Sequence, residues 1–212
     1  LRAYIEEKSN RVVEVVLSSL KPFELMMGKM LGIGAVGLTQ YAVWALIGFV
    51  TSQYGMSMGT SMVPAASGIK FAIPSYIFLY FVIFFILGYF LYGTLYAGVA
   101  STVNNEKEAQ QMLMPITMFL VLPILLMTMV IKNPGGSTSV ILSLIPFFAP
   151  IIMFMRICVL MPPAWQVALS IALLGLTVVA MVWLAAKIYR IGILMYGKKP
   201  SLAEIVKWVK YS

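Results

Sequence analysis

Residues 140–163 read VILSLIPFFAPIIMFMRICVLMPP, and whether this stretch crosses a lipid bilayer decides the topology of everything around it. It is apolar enough to enter a membrane, yet Pro146 and Pro150 interrupt it, Arg156 charges it and Pro162-Pro163 close it. A proline removes a backbone donor and clashes with the preceding turn, so the pattern predicts two broken half-helices rather than one span. On either side the charges thin out into long uncharged runs. An ionised side chain at the bilayer centre costs about 3 kcal/mol or more, and about 20 apolar residues cover a core of about 30 Å. By that measure four stretches are expected to cross, at about 30–50, 76–103, 112–131 and 165–186.

The composition agrees. The chain is 61% hydrophobic and 10% charged, where soluble domains hold about 45–50% and about 25%. The expected fold class is all-α: a polytopic membrane helical bundle. A net charge of +8 would suit nucleic acid in a soluble chain, but loops on the cytoplasmic side of membrane proteins collect Lys and Arg, so no nucleic-acid partner is inferred. The single Cys158 has no partner for an internal disulfide and reads as a small hydrophobe. The chain opens on Leu1 without the apolar core of a signal peptide, and it is expected to be the carboxy-terminal part of a longer protein.

The basic residues arbitrate the broken stretch. If 140–163 stays on one side of the membrane, Arg2, Lys8, Arg11, Lys21, Lys29, Lys107, Lys187, Arg190, Lys198, Lys199, Lys207 and Lys210 share one compartment, opposite Lys70, Lys132 and Arg156. If it crosses, the carboxy-terminal six move over and the bias vanishes. The positive-inside rule therefore predicts an external re-entrant or interfacial hairpin at 140–163, its irregular backbone sheltered by protein or facing a cavity. The chain then divides into a cytoplasmic amphipathic segment at 1–29, a transmembrane domain at 30–186 and a cytoplasmic basic tail at 187–212. In that tail Ser201 and Glu204 form a capping box, and Leu202, Ile205, Val206 and Val209 share a helical face. With Lys207, Trp208 and Lys210 they predict an interfacial helix on the inner leaflet.

The opening segment is the conspicuous water-facing piece. Glu7, Arg11, Glu14 and Ser18 recur on one helical face, and Val13, Val16, Leu17 and Leu20 on another. This amphipathic helix is expected to end near Ser18-Ser19. Pro22 suits the first turn of the next helix, with Glu24 against its positive end. That helix runs on through Gly28 and Gly32 into the first span, and Gly28, Gly32, Ala35 and Gly37 offer small surfaces for close helix approach. Residues 104–111 (NNEKEAQQ) join the second and third spans as a solvated turn or as a short helix offered to a soluble partner.

Several of these pieces together resemble a known family. The string EEKSNRVVEVVLSSLKPFELMMGK at 6–29 looks like the cytoplasmic signature of type 2 ABC exporter permeases, in the branch of sodium-efflux permeases. Asn105-Glu106 with Glu108 to Gln111, Ile145 to Pro150 with Met153 and Arg156, and Ile188 to Lys198 are similar as well. The resemblance implies a six-span permease in the cell membrane whose first span, large external domain and second span precede this chain. It implies two half-transporters, either identical or different, bound to two ABC ATPase subunits, so that ATP and magnesium sit on the partner and no cofactor on this chain. It further implies that Glu6 to Ser18 form the coupling helix docked on the ATPase, through Glu6, Glu7, Lys8, Arg11, Val12, Glu14, Val15 and Ser18. Glu106, Glu108 and Gln110 would form a second contact.

Catalysis is not expected. Gly192 to Lys199 nearly matches a phosphate-binding loop, but Lys199 stands where Ser or Thr would hold magnesium, and the chain contains neither Asp nor His. Its acids are seven glutamates in segments expected to be cytoplasmic, so neither a metal cluster nor an intramembrane acid–base pair can be assembled. No substrate-binding residue is legible. Thr39, Gln40 and Ser101 offer only weak oxygen ligands for a sodium ion, while 16 Met and 12 Phe equally suit a greasy cavity for a lipid or drug. Tyr89, Tyr92 and Tyr96 form one aromatic stripe, expected to pack between helices, and Arg156 is expected to snorkel to the outer headgroups. The competing reading is a structural or regulatory membrane subunit that transports nothing.

Overall fold

Pro22, with its fixed φ and missing N–H, opens the first long helix, as the sequence leads one to expect. In the computed structural model, residues 22–62, 74–103 and 106–192 are described, and they form six helices. These are α1 (Pro22–Met62), α2 (Ser75–Thr102), α3 (Glu106–Lys132), α4 (Ser137–Leu144), α5 (Ala149–Val159) and α6 (Ala164–Gly192). No strand occurs among the described residues.

Four helices are long and apolar enough to cross a bilayer, over Phe23–Ile47, Tyr76–Thr102, Lys107–Lys132 and Ala164–Ile188. The first is longer than its expected bounds: α1 carries on to Met62, because neither proline nor charge interrupts the sequence after Val50 before Pro64. Pro115 and Pro123 lie inside α3 without ending it. The outward side chains of these helices are large and apolar, among them Leu31, Trp44, Met114, Leu125, Leu176 and Val179. A surface of that kind is a liability in water and an asset in lipid.

The long helices alternate in direction. Met26 and Met30, at the start of α1, pack with Ala97 near the end of α2 and Ala185 near the end of α6. Val103 just past α2 meets Ala109 at the start of α3, and Val130 at the far end of α3 meets Ile152 and Met155 of α5. Residues 133–163 therefore leave the bundle's second end and return to it. At 8 and 11 residues, α4 and α5 are about 12 and about 16 Å long, too short to cross.

The core is built around α2. Its Phe84, Leu91 and Tyr92 are buried with Ala149, Met153 and Ile157 of α5 and with Val167, Leu174 and Val178 of α6. Of the small residues expected to permit close approach, Gly37 does so, joined by Gly34, while Gly28 and Gly32 do not. A Cβ at Gly28 or Gly32 would meet nothing within 4 Å, whereas one at Gly34 would stand 2.9 Å from the Tyr89 ring and one at Gly37 3.6 Å from Phe85. The face of α1 turned to α2 is thus the Gly34 face. An all-apolar helix carries no amphipathic signal that would announce its rotation.

Candidate functional site

The turn between α4 and α5 reaches deep into the bundle. Pro150 lies against Gly88, where an added Cβ would stand only 2.8 Å from the proline ring, and Phe154 meets Phe81 at a 5.5 Å centroid distance. Gly88 is near the middle of the apolar window Tyr76–Thr102. α5 thus runs antiparallel to the first half of α2, with its tip at mid-bundle. The expected half-helices are therefore present, with their break at residues 145–148.

Non-helical backbone at that depth must find partners inside the protein. The Phe148 and Ala149 N–H groups donate to the Ile145 carbonyl at 2.9 and 2.8 Å, and those of Ile151 and Ile152 donate to the Phe148 carbonyl at 3.1 and 2.9 Å. Side chains of α2 and α6 supply the rest. The Ser170 hydroxyl donates to the Ser143 carbonyl at 2.9 Å, and the Tyr92 hydroxyl donates to the Phe147 carbonyl. The tyrosine stripe therefore does more than pack. Tyr92 satisfies the tip, and Tyr89 donates to the Met30 carbonyl of α1 at 2.7 Å.

Arg156 departs from expectation more sharply. Rather than snorkelling to headgroups it is 2% exposed, and three segments supply oxygens to its guanidinium. Nε donates to the Pro134 carbonyl at 2.7 Å, one terminal nitrogen to Ser143 Oγ at 2.7 Å and the other to Gln166 Oε1 at 2.8 Å. A rigid fork of five N–H groups suits such a divergent set, and an arginine stays cationic throughout. All three partners are neutral, so the node ties the α3–α4 link, α4, α5 and α6 together without a carboxylate. Ser143, Gln166 and Ser170 escaped the sequence reading. Gln166 and Ser170, one turn apart in an otherwise apolar run, were the available signal.

A cavity of about 240 Å³ opens between α2, α3 and α6 near the other end of the bundle. Leu95, Gly98, Met112, Ile116, Met181 and Leu184 line it. It holds two hydroxyls, whose protons go back to their own helix: that of Thr94 to the Phe90 or Leu91 carbonyl and that of Thr102 to the Val99 carbonyl. The cavity can take an apolar group and has little to offer an ion. Thr39 and Gln40 do not join Ser101 in a site. Met30 packs at the level of Ala97, Thr39 lies about 13 Å further along α1, and Ser101 lies beyond Ala97 in the opposite direction. Ser101 and Thr39 each donate back to their own helix. Among the described residues no cluster of metal-ligating side chains occurs.

The expected coupling residues divide. Glu6, Glu7, Lys8, Arg11, Val12, Glu14, Val15 and Ser18 lie outside the described residues, as do the tail helix and the Gly192 to Lys199 loop beyond its first residue. Glu106 to Gln110 form the first turn of α3 itself, neither a turn nor a separate short helix. There Ala109 is buried, Glu108 half-buried and Gln110 exposed. This turn shares the bundle end with Pro22, the point where 1–21 joins the bundle. Lys187 stacks over Trp183 at 4.4 Å at the same end, a pairing typical of a membrane–water boundary.

Residues 1–187 match the family model described as ABC-2 family transporter protein. The uncharacterized protein YhaP of Bacillus subtilis is 36% identical over 201 residues, covering 94% of this chain and 48% of that protein. An uncharacterized protein of Methanocaldococcus jannaschii is 32% identical over 203 residues, covering 96% of this chain and 47% of its own length. The chain thus spans about half the length of these relatives. No solved structure matches it.

Proposed function

Because the chain belongs to the ABC-2 transporter family, we propose that it acts in the membrane permease of an ATP-driven exporter. The observation that carries this reading is the family match over residues 1–187 on a bundle of four alternating apolar helices. In it, the end bearing Glu24, Lys29, Glu106, Lys107 and Lys187 faces the cytoplasm. The opposite end bears Lys132 as its only described surface cation besides the enclosed Arg156. That distribution supports the positive-inside orientation, with the α4–α5 hairpin entering from outside and both ends of the chain in the cytoplasm of a cell-membrane protein.

The working cycle follows from rigid-body mechanics. Two permease copies bind two ABC ATPase subunits, which hold ATP and magnesium. The segment from Glu6 to Ser18 docks on the ATPase with Glu7, Arg11 and Glu14 as polar contacts, and Glu106, Glu108 and Gln110 add a second contact. Closure of the ATPases displaces the docked segment, and a packed helix moves as a unit. The displacement passes to α1, continuous from Pro22 to Met62, and through the Tyr89 bond to Met30 into α2. The sodium-efflux branch names one cargo, but an apolar cavity with two hydroxyls favours a lipid-like or drug-like molecule, since hard cations demand several oxygen ligands.

The test is association. Charge reversal of Arg11→Glu with Glu14→Arg is expected to abolish co-purification of the ATPase while leaving membrane insertion intact. Undiminished co-purification would remove the coupling assignment, and the absence of any ATPase partner for the intact protein would favour the structural-subunit reading.

A further inference from the structure

Tyr92 stands between two carbonyls that prolines have stripped of their backbone donors. In α3 the Phe119 carbonyl would receive the N–H of residue 123, but that residue is Pro123, enclosed within the bundle. At the hairpin tip the residue three beyond Phe147 is Pro150, and the next N–H, that of Ile151, is spent on Phe148. The Tyr92 hydroxyl lies within hydrogen-bonding reach of both carbonyls, 3.1 Å from that of Phe119 and closer still to that of Phe147. It has one proton. Tyr92 is 8% exposed, and the two phenylalanine rings stack at 4.9 Å. Donation to one carbonyl leaves the other short of a partner in surroundings where that is costly.

We propose that the Tyr92 hydroxyl is a two-position latch. Donating to Phe147 it holds the hairpin tip against α2. Donating to Phe119 it releases the tip at little net cost, because one orphaned carbonyl is exchanged for the other. Gly88, one turn before Tyr92 on the same face, supplies the flat seat on which Pro150 rests in the latched state. The two prolines are thus part of the device: each keeps an acceptor available at one of the two positions. This inference concerns the hairpin alone and does not depend on the identity of the motor or the cargo.

Hydrogen–deuterium exchange of the intact protein in lipid nanodiscs reads the latch directly, through the Ile151 and Ile152 amides whose bonds to Phe148 form the first turn of α5. Tyr92→Phe, which removes one oxygen and keeps the ring, takes a hydrogen bond from the latched and the released state alike, so it is expected to leave their exchange within about twofold of wild type. Pro123→Ala returns an N–H to the Phe119 carbonyl and so ends its need for the hydroxyl. It is expected to slow tip exchange by about threefold with Tyr92 in place and to leave it unchanged in the Tyr92→Phe background. Equal effects of Pro123→Ala in both backgrounds, or none in either, would overturn the latch. Should Pro123→Ala fail to fold, tip exchange sped about three- to tenfold in Tyr92→Phe alone, the mark of a hydroxyl bonded only to Phe147, would overturn it equally.

Discussion

Replacing Arg156 by lysine separates an enclosed node from a snorkelling cation. The guanidinium makes three hydrogen bonds to oxygens on three segments, and a charged donor contributes about 1.5–3 kcal/mol per bond. A lysine ammonium is a compact point charge on a flexible stem. From the same backbone position it reaches one of the three divergent acceptors, so two bonds are lost while the buried charge stays. The expected cost is about 3–6 kcal/mol, which for a chain of this size lowers the apparent Tm by something on the order of 10 °C. Arg156→Met loses all three bonds but also relieves the desolvation of a cation, and removing buried charge in favour of apolar volume is often close to neutral. The ordering expected from detergent-solubilised thermal unfolding is therefore wild type above Met, and Met at or above Lys. A lysine variant within about 2 °C of wild type, with Met the worse of the two, would show a hydrated Arg156 and refute the node.

Three further outcomes follow from the same geometry. Gly88→Ala places a Cβ 2.8 Å from Pro150 and is expected to cost about 1–3 kcal/mol in thermal unfolding, whereas Gly32→Ala, with nothing within 4 Å, should unfold within about 1 kcal/mol of wild type. Gly98 lines the cavity and a Cβ added there would meet only Ala185, at 3.9 Å, so Gly98→Leu adds a side chain at the cavity wall. By displacing about two methylenes of an apolar cargo, at about 0.8 kcal/mol each, it should weaken cargo-stimulated ATPase activity of the assembled complex about tenfold, and an unaltered response would move the cargo site elsewhere. Cys158 is exposed near the end of α5, on the hairpin that the proposed orientation places at the outer side. A membrane-impermeant maleimide added to intact cells should therefore label it, and labelling only after permeabilisation would contradict that orientation.

How far the chain could be read without coordinates differs from feature to feature. The four spans were legible because each is announced by its own lack of charge over a sufficient length. Pro146 and Pro150 likewise declared the broken hairpin, and the basic residues argued that it does not cross. The same pattern was silent on Arg156. A lone cation in an apolar run reads as a snorkeller unless Pro134, Ser143 and Gln166 are known to surround it, and those residues lie 10 to 22 positions away. Nor could helical spacing distinguish a packing tyrosine from one that satisfies a carbonyl on another helix. Pro123 strips the Phe119 carbonyl of its donor, but nothing in the order of residues named Tyr92 as the substitute.

The division has a physical basis. Exclusion of charge from hydrocarbon and the missing N–H of proline act on each segment separately, so membrane crossing and helix breakage are written locally along the chain. In a helix that is apolar on every side, no water-facing stripe marks which way it turns. Whether Gly32 or Gly34 meets α2, and which hydroxyl reaches which stripped carbonyl, depends on the fit of all the helices to one another, and so emerged from their packing.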